Sequence, residues 1–252
     1  MICLFKKKHG IKQATIWLFD SKCDVVPECD TVSFVQSIDR RSSGREFLSL
    51  KTILNEDEDV LFAKIEKQTR YEIRRIDKES PQAIYLGFND DISEDALSGF
   101  FADYDSFADS KGLHHINRGH LRAMARQKIL ILAAAMLQET ILVYHTYVFD
   151  ANKTRLLNSV SMFRSACQFS SNQIGMLNRW LHWSDIKYFK QQGLKFLDWG
   201  GINYKNPEIA NITKFKKEFG GEEWIGYSSD EAVSFRGRAY NKIVNIVKNV
   251  GF

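Results

Sequence analysis

The chain has 252 residues, with 35 basic and 31 acidic side chains and a formal net charge of +4. Hydrophobic residues make up 44%, charged residues 26%, and there are only 3 prolines, which excludes disordered, collagen-like and disulfide-scaffold classes and leaves a chain long enough to bury a sizeable core. The charge is too mild to make nucleic acid the default partner; a local basic patch would be needed.

The first ten residues do not have the order of a signal peptide. Their apolar stretch precedes the lysines and is about four residues long, against roughly 7–15 in an h-region. The longest apolar run, Ile129 to Leu137, is bounded by Lys128 and Gln138. It falls far short of the ~18 residues of a spanning helix and reads as a buried strand. Cys3, Cys23, Cys29 and Cys167 contain no Cys-x-x-Cys spacing, so no metal site is expected and the thiols suit a reducing, cytoplasmic setting. Lys6, Lys7 and Lys8 offer a weak peripheral contact with the inner face of an anionic membrane.

In chain order, residues 12–20, 31–38 and 46–53 read as short strands, rich in β-branched and aromatic side chains and separated by polar breaks such as Arg41-Ser42-Ser43-Gly44. Residues 55–77 read as one helix, capped by Asn55, with acids in its first turn and Phe62, Ile65, Thr69, Ile73 and Ile76 on one face. Lys67, Arg70, Arg74 and Lys78 form a basic stripe on another face. A strand over 83–88 and a helix over 94–111 follow, the latter with Ser93 as N-cap.

Residues 128–164 hold three β-rich runs. They are separated by Gln138-Glu139 and by residues 150–153, breaks short enough for antiparallel hairpins. A helix at 173–192, a strand ending at Gly200-Gly201, a short helix at 207–218, a strand from 222 and a helix at 232–248 complete the chain. The fold class is therefore α/β, with an antiparallel meander and a C-terminal βαβ crossover near 155–200, helices covering both faces of a mixed sheet. A small N-terminal β region (1–54) and a single larger domain (55–252) are expected.

That order resembles the GNAT acyltransferase fold. The segments Asn178-Arg-Trp-Leu-His-Trp183, Gly193-Leu-Lys-Phe-Leu-Asp-Trp-Gly-Gly201 and Phe215-Lys-Lys-Glu-Phe-Gly-Gly221 are similar to the Fem-type branch, which includes peptidoglycan bridge-forming aminoacyltransferases. Gln68-Thr-Arg-Tyr-Glu-Ile-Arg-Arg75 is similar to the Thr-Arg-rich helix of the same branch. The resemblance covers about residues 55–230. It departs in two ways: bridge-forming relatives use two GNAT-like domains where this length has room for one, and the usual glycine-rich acetyl-CoA loop is replaced by Gln168 to Gly175, with one glycine.

The resemblance implies that Lys216 stabilises the oxyanion of an acyl transfer, a role for which a fixed ammonium in a dry site is suited. Asp198 would orient the attacking amine or accept its proton, and His182 is a candidate general base. Asn178, Trp183, Gly200, Gly201 and Phe215 would line the acceptor side. Arg70, Arg74 and Lys67 would hold a phosphorylated or lipid-linked sugar, or a tRNA backbone. Gln168, Ser170, Ser171, Gln173 and Gly175, at a helix N-terminus, would bind the donor.

Each assignment competes with a plainer one. Lys216 fits a solvated helix face, Asp198 a turn carboxylate, the arginines a solvated stripe, and His182 and His145 structural core histidines. No Gly-x-Ser-x-Gly, P-loop or dinucleotide fingerprint occurs, so direct transfer without a covalent enzyme intermediate is expected, from acyl-CoA or aminoacyl-tRNA and without a tightly bound cofactor. The alternative is a non-catalytic GNAT-like module that binds a sugar nucleotide, RNA or a partner protein.

Overall fold

The computed structural model describes residues 2–17, 28–37, 40, 44–163, 168–205 and 207–250. Cys23, Cys167 and the Arg41-Ser42-Ser43 break lie outside them. The chain forms two compact units: Met1–Ser49 with Glu223–Phe252, and Leu50–Glu222. Their boundaries fall inside β4 (Arg45–Ile53) and at the start of β10 (Glu222–Ala232).

In the first unit, β1 (Ile2–Lys8) and β2 (Ile11–Trp17) form a hairpin closed by His9 and Gly10, both at positive φ, as a tight two-residue turn requires. Strand β2 pairs in parallel with β3 (Thr31–Ser37), which pairs antiparallel with β10. Alternation along β2 and β3 buries Ala14, Ile16, Val32 and Phe34 in one cluster with Cys29. Asp30 ties this unit together: its carboxylate accepts the Lys12 N–H at 2.9 Å and the Ser234 hydroxyl at 2.5 Å. Helix α7 (Phe235–Val250) starts beside that serine.

The second unit opens with α1 (Glu58–Lys64) and α2 (Lys67–Asp77). The single helix expected over 55–77 is thus two, and Asp57 rather than Asn55 is the N-cap. The break has a tertiary cause: the Glu66 N–H donates to the Glu218 carbonyl at 2.7 Å instead of continuing the helix. The apolar spacing survives it, since Ile65, Thr69, Ile73 and Ile76 are all buried.

Strand β5 (Gln82–Leu86) leads to α3 (Glu94–Lys111), whose Ser93 hydroxyl accepts the Ala96 N–H. A further helix, α4 (Arg118–Arg126), follows α3 before the meander; its cap is Asn117. The meander follows as β6 (Leu130–Leu137), β7 (Thr140–Phe149) and β8 (Lys153–Ser161). Helix α5 (Ser171–Gln191) crosses to β9 (Phe196–Gly201), which pairs in parallel with β8. In this unit β4, β9, β8, β7, β6 and β5 lie side by side in that order. Helix α5 packs on α2 and on β6 to β9, which explains why it is buried on nearly every side.

The β6–β7 turn places Gln138 at φ 49° and Glu139 at φ 63°, a conformation that suits Asn-Gly. Replacing this pair with Asn-Gly is expected to stabilise the chain by about 1 kcal/mol, measured as a higher denaturation midpoint. No helix among the described residues is long and apolar enough to cross a membrane.

Candidate functional site

Strand β9 ends in Asp198-Trp-Gly-Gly201, with Asp198 fully buried. Its carboxylate accepts the Gly200 N–H at 2.7 Å, which turns the chain at the strand end. Gly200 sits at φ +72°, and a Cβ there would lie 3.4 Å from the Leu156 carbonyl and 3.7 Å from Lys216 Nζ. Both are ordinary contacts, so it is the positive φ that calls for glycine here.

Lys216 comes from α6 (Pro207–Lys217). Its Nζ donates to the Gly201 carbonyl at 2.8 Å. Arg155 of β8 stands opposite Asp198 in the parallel ladder. Burial lowers the Lys216 pKa to about 8, Asp198 opposes that fall, and Arg155 adds to it. Burial likewise lowers the Arg155 pKa, again opposed by Asp198. One buried carboxylate thus offsets part of the cost of burying two cations.

Arg155, Gly200, Gly201 and Lys216 border a cavity of about 550 Å³, and Asp198 is not part of its lining. Lys216, Arg155, His182, Asn178, Gly200, Gly201 and Phe215 line it, with Tyr104, Phe107 and Trp199 among its apolar walls, and none of its lining residues is Asp or Glu. His182 is 1% exposed, and neither ring nitrogen has a hydrogen-bond partner. Its ring stacks on His145 at 3.9 Å and is ringed by Trp199, Phe215 and Phe219. Burial holds its pKa well below the usual histidine range, and the neighbouring His145, Lys216 and Arg179 push it the same way. His182 is therefore a neutral imidazole at the cavity wall, and the same burial and neighbouring cations oppose its protonation.

The Phe215-to-Gly221 segment is fixed from behind. Glu218 accepts from Arg179 Nη2 at 3.0 Å and from Thr69 Oγ1 at 3.1 Å, while the Arg179 guanidinium lies over the Phe215 ring at 5.1 Å. Gly221, at φ +101°, lets the chain pass so close to β4 that a Cβ would be 2.7 Å from the Lys51 carbonyl.

The structure thus gathers Lys216, Asp198, His182, Asn178, Gly200, Gly201 and Phe215. It places other expected residues elsewhere. Trp183 is buried against Phe62 at 4.8 Å and does not line the cavity. Arg70 donates to the Ala63 carbonyl, Arg74 lies over the Phe62 ring, and Lys67 is exposed on α2; none of the three reaches this cavity. Ser170 and Gln173 form a capping box at the start of α5, the device expected of Ser-x-x-Gln. Gln168 donates to the Thr140 hydroxyl, and Gly175 accepts from Arg179. Ser171 borders a separate cavity of about 260 Å³ with Ser106, Ser110 and Lys111.

Sequence reasoning missed Arg155, Asn158, Ser159 and Asn211 of the cavity wall. A charged residue inside the Arg155-Leu-Leu-Asn-Ser-Val160 run was the available signal for the first. Among the described residues, one group gathers metal-ligating atoms: those of His145, His182 and Asp185 lie within 4.8 Å of one another. Both His145 nitrogens already have partners, Asp185 and Asn178, and the two imidazoles stack instead of converging on a point, so the trio does not fit a metal.

No protein-family model matches the sequence, and no curated protein matches it. Solved structures do. FemX aligns over 96% of this chain and 86% of its own, with a TM-score of 0.64 at 11% identity. The C-terminal domain of a protein described as a lysylphosphatidylglycerol synthetase from Agrobacterium fabrum aligns over 85% of this chain and 71% of its own, with a TM-score of 0.55 at 8% identity. The fold is FemX-like. L-PGS from Bacillus licheniformis shares it over 78% of this chain and 66% of its own, with a TM-score of 0.51 at 12% identity. At these identities the Fem-type likeness is one of fold, and the chemistry has to be argued from the cavity.

Proposed function

We propose that this chain transfers an acyl or aminoacyl group to an amine of a cell-envelope or surface-polysaccharide precursor. The observation that carries the reading is Lys216: a half-buried ammonium, anchored on Gly201 and with its charged form favoured by Asp198, at a cavity whose lining holds no carboxylate. Such a site favours a negative charge that develops during reaction. The uncharged amine nitrogen attacks the acyl carbonyl carbon, and the proton it then sheds passes across the cavity to the leaving group. The oxyanion rests against Lys216 until the C–S or C–O bond to the donor breaks and the leaving group takes up a proton. Cationic walls disfavour a protonated amine, so the nucleophile binds uncharged, beside a His182 that stays neutral.

The donor is an acyl-CoA or an aminoacyl-tRNA, and the acceptor a phosphorylated or lipid-linked sugar. One structure of this fold bears the name of a synthetase of lysylphosphatidylglycerol, an aminoacylated lipid, which keeps the aminoacyl donor in view. The test is thermal stability of the chain with a panel of CoA esters and with charged tRNA. A true donor at about a hundred times its Kd adds about 2.7 kcal/mol, or about 5–10 °C in Tm. A shift with CoA esters alone, or with charged tRNA alone, assigns the donor. No shift with either removes the transferase reading.

A further inference from the structure

Behind the Lys216 cavity lies a second polar group that the steps above do not use. His145 on β7 and Asp185 on α5 are both fully buried. His145 Nδ1 lies 2.6 Å from Asp185 Oδ2, and its Nε2 lies 2.8 Å from Asn178 Oδ1. The Tyr147 hydroxyl donates to the same Asp185 oxygen at 2.5 Å. Asn178, His182 and Asp185 are spaced four and three apart on α5, so one helix face carries all of them.

The two ends of the Asn178 carboxamide have different surroundings. Its oxygen lies 2.8 Å from His145 Nε2 and accepts the Ser159 hydroxyl of β8 at 3.2 Å. With a proton on Nε2, both lone pairs of that oxygen are occupied by protein donors. Asn178 also lines the cavity, so its NH2 is the end left to meet a ligand.

We propose that Asp185 and His145 are positioning residues that hold the Asn178 carboxamide with its NH2 toward the cavity, where it donates to a carbonyl or carboxylate oxygen of the acyl ligand. The identity of that ligand rests on the function proposed above; the orientation does not. An ionised carboxylate only accepts, so Asp185 fixes a proton on His145 Nδ1. The second ring proton, on Nε2, then decides which way Asn178 faces. With Nε2 bare, the amide would turn its NH2 inward and present its carbonyl to the cavity, an arrangement that repels a ligand oxygen. The groups that face His145 are Asp185, Asn178, the Tyr147 hydroxyl and the stacked His182 ring.

The test uses the full chain labelled with 15N-histidine, with His145 assigned from a His145→Gln variant. Ring spectra at neutral pH are expected to show protons on both His145 nitrogens and on one His182 nitrogen. A His145 with bare Nε2 overturns the proposal. In parallel, sodium acetate, as an oxygen-bearing probe, is titrated against sodium chloride at equal ionic strength while the Asn178 NH2 resonances are followed. Acetate is expected to shift them saturably, and Asp185→Asn to weaken acetate binding about tenfold, as for one hydrogen bond to a charged partner. Asn178→Asp, which keeps the shape and removes the donor, is expected to weaken it at least as much and serves if Asp185→Asn does not fold. Unchanged acetate affinity in the folded variants overturns the proposal. Because acetate binding involves no transfer, failure of every donor would remove the proposed function and leave this outcome readable.

Discussion

Lys216→Met is expected to slow acyl transfer by about 10²–10³, the usual loss when a donor to a developing oxyanion is removed, while making the folded chain more stable near neutral pH. The two effects have opposite signs because the same burial causes both. In the fold the lysine pKa is about 8, against an ordinary 10.5. Below pH 8 the group is charged in the folded and unfolded chains alike, and the folded chain bears the full cost of burying it. Between about 8 and 10.5 the unfolded chain binds more protons, so stability gains from this group as pH rises.

Activity should run the other way. Only the ammonium stabilises the oxyanion, so the rate falls as pH rises through about 8, and Lys216→Arg should retain more of its rate above that point because guanidinium stays charged. Lys153, whose pKa burial and Lys195 also lower to about 8, titrates in the same window. The contribution of Lys216 is therefore read as the difference between the stability curves of wild type and Lys216→Met. A Met variant with an undiminished rate would end the oxyanion role.

Gly221→Ala is expected to cost about 3–4 kcal/mol, from backbone strain at positive φ plus a clash with fixed backbone. That corresponds to roughly 6–15 °C in Tm for a chain of this size. A Cβ at this position would meet the Lys51 carbonyl at 2.7 Å and Leu50 Cγ at 3.3 Å, and at Gly220 it would meet the Lys64 carbonyl at 3.0 Å. Gly193 supplies the control. It also has positive φ, +79°, but nothing lies within 4 Å of its Cβ position, so Gly193→Ala should cost only the strain, about 1 kcal/mol. Equal losses at Gly193 and Gly221 would show that close approach contributes nothing. The comparison matters for the site because Gly220 and Gly221 hold the end of the Phe215-Lys-Lys-Glu-Phe segment, and hence Lys216, against β4 and α1.

Much of the second unit was legible where its cause is local. Ser93 with Glu94 and Asp95 marks the start of α3, and both the apolar run of β6 and the short breaks of the meander mark hairpins. The failures have non-local causes. The α1–α2 break is invisible in spacing because Ile65 fits the helical pattern, and only the Glu66 to Glu218 hydrogen bond reveals it. Strand β1 was hidden by its run Lys6-Lys7-Lys8, which leaves only Ile2 and Leu4 buried among its described residues and shows no alternation over the strand's second half. Helix α4 has only Leu121 and Met124 as buried apolar residues, too few to announce a face.

The same division holds at the cavity. By itself the sequence determined the strand that ends in Asp198-Trp-Gly-Gly201, the helix carrying Asn178 and His182, and the Phe215-Lys216 segment, because periods of 2 and 3.6 residues are set within each element. Only the tertiary structure decided that Arg155 faces Asp198, that His182 is neutral, that Asp185, His145 and Asn178 form one chain of hydrogen bonds, and that Trp183 and the α2 arginines stand apart. These depend on the register of β8 against β9 and on what water is excluded from, and both are settled by contacts between residues distant in sequence.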